Sequence, residues 1–270
     1  MKRPWLFITL LLVAATVGCQ QINIDPNSSP AGFGVNPQLS EPLGQSFTAV
    51  TANVKWIGMH FAACTAPTDF QLTLREGSGL SGTIVTTLTA TVPSGFFGFV
   101  YFDLSRTPLV VGNQYTADLS QLSPQDGLGC LVDGAEPSVY SGGTAFISGA
   151  ASNSDFYLRV LTAIFAAQVQ PPLNPDGSST FKVGTVIPVS FTLTADGTAT
   201  CALPPAAISL FVFPHRQSVM ALTPVNVGPC KYTYNLPTGS LSPGNYELDI
   251  ALTNSTPTPL EVGSVFFALD

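Results

Sequence analysis

Apolar and polar residues alternate over short runs through most of this chain, and clusters of Gly, Pro, Ser, Asn and Asp separate the runs. That period of two is the signature of strands with one buried face. In FKVGTVIPVSFTL (181–193) the alternation continues on both sides of Pro188. Proline has no N–H to give a ladder, so Pro188 is expected on an edge strand, where the first strand of a sandwich crosses between sheets.

Residues 38–165 hold candidate strands at 44–50, 54–63, 70–75, 84–92, 97–104, 114–119, 139–140, 144–147 and 156–162. Turns such as EGSGLSG (76–82) and PSG (93–95) divide them, a spacing that predicts a β-sandwich or jelly roll. Within 54–63, Ile57, Met59, Phe61 and Ala63 form the expected core face. Trp56, Gly58, His60 and Ala62 then look outward or into a groove. PSGFFGFVYFDL (93–104) reads as a doubly buried central strand with a bulge at Gly98, or else as a membrane-dipping loop.

AAQVQPPLNPDG (166–177) interrupts the pattern with three prolines. It predicts a stiff linker over 166–174. Beyond it, strands are expected around Phe181 and over 186–194, 207–213, 224–227, 231–235, 246–253 and 264–269. Seven short strands in so few residues suit an immunoglobulin-like sandwich over 175–270. The expected fold class is therefore all-β, a jelly-roll sandwich followed by an Ig-like one.

The first residues carry a different pattern. MKRPWLFITLLLVAATVGCQ has two positive charges and then an apolar run too short to span a bilayer. It predicts a signal peptide over 1–19. Thr16-Val17-Gly18-Cys19 resembles a bacterial lipobox, which implies acylation of Cys19 and a membrane anchor; Thr16 departs from the usual Leu. QQINIDPNSSPAGFGVNP (20–37) is expected to be a flexible tether. Export makes disulfides stable, and four cysteines remain: Cys64, Cys130, Cys201 and Cys230. The domain boundary favours one bridge per domain, each stabilising by about 3–5 kcal/mol in the loop-entropy account.

Composition narrows the chemistry. The 270 residues carry a net charge of −7 and only 9% charged residues, with 24 glycines and 23 prolines. A nucleic-acid partner is disfavoured by the acidic balance and the lack of Lys/Arg clusters. With no G-x-S-x-G motif and two isolated histidines, His60 and His215, a hydrolase triad is disfavoured. With no C-x-x-C, so is a zinc site. The acids Asp69, Glu76, Asp103, Asp118, Asp126, Asp133, Glu136 and Asp155 are scattered, as solubilising groups are. No enzyme and no cofactor are expected, apart from a possible calcium ion held by Asp126, Asp133 and Glu136 in SPQDGLGCLVDGAEP (123–137). Trp56, His60 and Tyr140 are the candidate ligand contacts, since sugars stack on exposed rings.

Two resemblances add to this. VQPPLNPDGSSTFKVGTVIPVSFTL (169–193) and KYTYNLPTGSLSPGNYELDIAL (231–252) resemble the bacterial extracellular PxKF Ig-like domain, with Ser190 in place of the motif's Lys. GQSFTA (44–49), IGMHF (57–61), FQLTLREGSG (70–79), FVYFDLSRTPLVVGNQYTADL (99–119), YSGGTAF (140–146) and DFYLRV (155–160) resemble choice-of-anchor jelly-roll modules of bacterial surface proteins. The resemblances imply an exported surface protein that binds a glycan or protein through its first domain, the second acting as spacer. The alternative is a structural component of the envelope or of an extracellular assembly, with no small ligand.

Overall fold

The computed structural model describes residues 21–26, 32–104, 107–123, 129–200, 206–213, 217–228, 230–253, 255–257 and 259–270. The leader, Cys19, Asp126, Cys201 and His215 fall outside them. Among the described residues the regular structure is almost entirely β, with one four-residue helix, Pro37–Ser40. Its strands form an eight-stranded and a six-stranded sheet over one core, then two five-stranded sheets over another.

Alternation builds both cores. In Val186–Ala195 every second residue, Ile187, Val189, Phe191 and Leu193, is fully buried. In Gly244–Leu252 the apolar set Tyr246, Leu248, Ile250 and Leu252 enters the core, while Glu247 and Asp249 between them are buried as well. The first core takes Ile57, Met59 and Phe61 from Trp56–Ala62, and Phe70, Leu72 and Leu74 from Thr68–Glu76. Burying one such side chain stabilises by about 1.5–3 kcal/mol. Cys64 and Cys130 are bridged across 66 residues of chain, as expected for one bond within the first domain. Cys230 is buried and disulfide-bonded; Cys201, its expected partner, lies outside the described residues.

Pro188 sits where its chemistry allows. The strand Val186–Ala195 pairs along 186–192 with Lys231–Pro237, and on its other side only residues 190–195 pair, with Phe165–Gln170. Pro188 lies opposite Asn235 and beyond the last rung of that second ladder. The strand is central at its C-terminal half and an edge at its proline.

Two segments read as linkers are strands. Within 20–37, Gln21–Asn23 runs antiparallel to Leu158–Leu161 and parallel to Ser255–Pro257, with Ile22 and Ile24 fully buried. Gly32–Val35 pairs with Leu131–Ala135. The physical reason is in QINID: five residues of strict alternation, with prolines and serines only after them. Within 166–174, Phe165–Gln170 is a ladder strand and Leu173 is buried in the second core. Gly98–Asp103 is not a central strand; it pairs only with Trp56–Ala62 and lies at that sheet's edge. Residues 139–140 are not in a strand, whereas 131–135, 150–152, 217–222 and 255–257 are.

Candidate functional site

The structure does not gather the predicted contacts. His60 and Trp56 share the outer face of Trp56–Ala62, four residues apart, while Tyr140 belongs to a turn that packs on Leu43–Thr48.

His60 is 3% exposed. Phe97, Phe99 and Tyr157 meet its ring edge-on, at centroid distances of 4.8, 5.1 and 5.8 Å. Its Nδ1 lies 3.0 Å from Asp133 Oδ2. A carboxylate oxygen accepts, so Nδ1–H is the donor of this bond. Burial pushes the Tyr157 phenol up, and Asp133 and Asp25 add to the effect, so this hydroxyl stays neutral through the physiological range.

Beside His60, Gly58 creates a shallow bed. It lies between Tyr101 on one neighbouring strand and Arg159 on the other. A Cβ at 58 would come within 2.8 Å of the Tyr101 ring. Across the glycine, Arg159 Nη1 donates to Tyr101 Oη at 3.0 Å and Nε to Asn23 Oδ1 at 2.9 Å. The guanidinium lies 4.0 Å from the Phe99 ring centroid. Asn23 in turn donates to Asp25 at 2.8 Å and to the Pro259 carbonyl at 3.1 Å. This polar row passes from the first sandwich into the second.

Trp56 is half-buried and packs against the second core, with Tyr101, Ile164 and Phe165. Its indole N–H points at Asp196 Oδ1, 3.4 Å away, while Lys55 Nζ donates to Oδ2 at 2.6 Å and the Ile164 N–H to Oδ1 at 3.0 Å. Desolvation pushes the Asp196 carboxyl up, but these three donors and the Lys55 charge outweigh it, leaving Asp196 below the usual carboxylate range. A neighbouring cleft of about 560 Å³, lined by Ala52, Val54, Lys55, Pro108 and Thr162 among others, has one charged wall residue, Lys55, already paired.

Tyr140 is 7% exposed, and its hydroxyl accepts the Thr48 N–H at 3.3 Å. Burial raises its pKa; the Thr48 bond lowers it and nearby Asp155 raises it further. Asp155 is fully buried and accepts four bonds: from Gln45 Nε2 at 3.0 Å, Ser138 Oγ at 2.7 Å, and the N–H groups of Val139 and Tyr140 at 2.7 and 2.8 Å.

The two described members of the calcium trio do not share a loop. Asp133 stands in the middle of the strand Leu131–Ala135, engaged by His60, and Glu136 is exposed just past its end. Asp126 lies outside the described residues. Among the described residues no three His, Cys, Asp or Glu side chains form a metal-holding group. Sequence reasoning missed Asp196, Asn23 and Arg159. Asp196 is 140 residues from its partner Trp56, and nothing local marks it. Phe97 was read as part of a buried strand, yet its ring is 72% exposed above His60.

No protein-family model matches the chain, and no curated protein matches it. Among solved structures, it is similar to the tetra-tandem repeat in the extending region of a large adhesion protein, at 18% identity and a TM-score of 0.27. That alignment covers 89% of this chain, which spans half the length of the repeat structure. Among the described residues no helix is long and apolar enough to cross a membrane.

Proposed function

We propose that this chain is an exported, non-catalytic surface protein whose two sandwiches work as one stiff structural unit, a spacer in an adhesive or envelope assembly. The observation that carries it is the weld between domains. Gln21–Asn23 hydrogen-bonds to a strand of each sandwich, and Lys55 and Trp56 of the first reach Asp196 of the second. Domains joined by a bare linker move independently by default; these share a ladder, a salt bridge and packed side chains. A non-catalytic role fits how the polar groups are employed. His60, Asp133, Asp155, Asp196 and the Arg75–Asp118 pair all serve the fold.

The proposed anchor at Cys19 would sit two residues from the weld, holding the unit close to the membrane at a set angle. The second bridge, Cys201–Cys230, would brace its far domain.

Ligand capture by the first domain is a second reading, favoured by the exposed Phe97 ring above His60. Its ligand would be a glycan or protein, with Trp56, His60, Tyr140 and any calcium at Asp126, Asp133 and Glu136 in supporting roles. Calorimetric titration of residues 20–270 with cell-surface polysaccharide and with calcium separates the two. The spacer reading expects no heat in either titration. Saturable heat that disappears in Phe97→Ser or Trp56→Ala would replace it with ligand capture.

A further inference from the structure

Among the described residues, Ile84–Val92 is an edge strand with a single partner strand. It ends the six-stranded sheet and pairs only with Thr68–Glu76. At nine residues it is the longest edge among the described strands; the next, Gly98–Asp103, Phe165–Gln170 and Gln217–Leu222, have six. Protein edges are normally blunted by charge, proline, bulges or brevity, because their unpaired N–H and C=O groups template pairing. IVTTLTATV contains no charged residue and no proline. Its one irregularity is a register shift at Val85, so Thr86–Val92 runs straight against Thr68–Leu74. No backbone group of 84–92 bonds to any described residue outside its own ladder.

The side chains make this edge self-complementary. Thr87, Thr89 and Thr91 are exposed on one face, while Leu88, Ala90 and Val92 turn toward the core. An antiparallel two-fold through Thr89 sets Thr89 against its own copy, Thr87 against Thr91 and Leu88 against Ala90. Both faces then continue across the seam without a mismatch. Cross-strand threonine pairs are favourable, and no like charges meet. Asp69, opposite Thr91 on the neighbouring strand, is tied back by Thr91 Oγ1 at 2.6 Å and Ser123 Oγ at 2.7 Å. Its carboxyl is held low by those two bonds. The Gly98–Asp103 edge of the other sheet lies alongside, so both layers of the sandwich end on this side.

We propose that a second copy of this chain adds to the Ile84–Val92 edge, joining two six-stranded sheets into one across a two-fold axis. The interface is isologous and closes on itself. It stands apart from the spacer reading, which concerns the seam between domains.

Sedimentation velocity on residues 20–270 over a wide concentration range tests it. A monomer–dimer equilibrium is expected. Thr89→Lys and Thr89→Glu, each at an exposed position, should each weaken it at least tenfold with unchanged circular dichroism, while an equimolar mixture of the two regains it. Thr87→Lys is the second variant should either fail to fold. A chain that stays monomeric up to millimolar concentration, or a dimer indifferent to Thr89→Lys and Thr87→Lys, overturns the proposal.

Discussion

Asp155 shows what a single side chain contributes here. Three donors converge on Oδ2 and a fourth reaches Oδ1, around a carboxylate that is itself fully buried. Asn at this position has one acceptor oxygen, so its amide group must face donors whichever way it turns. Asp155→Asn should therefore destabilise the protein by about 3 kcal/mol, because buried donors are left unpaired. Urea unfolding measures this; a cost under about 1 kcal/mol would mean that the turn relaxes around the amide. In the sequence Asp155 looked like one more scattered acid. Its role depends on Gln45, 110 residues away, and on a turn that brings two backbone N–H groups to one oxygen. Ile57, Met59 and Phe61 were legible because their burial follows from period two alone. His60 was placed on the correct face but expected open. The rings of Phe97, Phe99 and Tyr157 that close it come from two other segments.

Among elements, the contact between the start of Trp56–Ala62 and the turn carrying Asp196 responds to acid. The folded-state pKa of Asp196 lies below its unfolded value, so its contribution is fully present above the unfolded value, near pH ~4. It is lost as pH falls through the folded value. Trp56 is the single tryptophan after residue 19, so its fluorescence reports the contact directly. Residues 20–270 should show a reversible emission change centred below pH ~4, and Asp196→Asn should abolish that transition. A midpoint above pH ~4, or one that survives Asp196→Asn, would assign the signal to another group. The strand Val186–Ala195 was legible down to its proline, because Pro188 announces a missing ladder bond. Phe165–Gln170 was not legible, because the prolines that follow it gave the whole stretch the look of a linker.

For the whole molecule, the decisive piece is one of the shortest strands. Gln21–Asn23 has only three residues, yet its backbone closes one sheet between Leu158–Leu161 and Ser255–Pro257. Its neighbouring isoleucines fill the first core, and Asn23 links Arg159 to the Pro259 carbonyl. A chain starting at Pro26 would lose two fully buried isoleucines, worth about 3–6 kcal/mol together, and would leave Val160 and Ser255 on facing open edges. Calorimetry should then resolve two transitions where residues 20–270 give one, with the first sandwich melting earlier. Residual coupling would rest on Lys55, Trp56 and Asp196, and a further Asp196→Ala should separate the transitions more widely. If the truncated chain still melts in one step at the original temperature, the weld lies elsewhere and the two sandwiches are coupled through their packed cores alone.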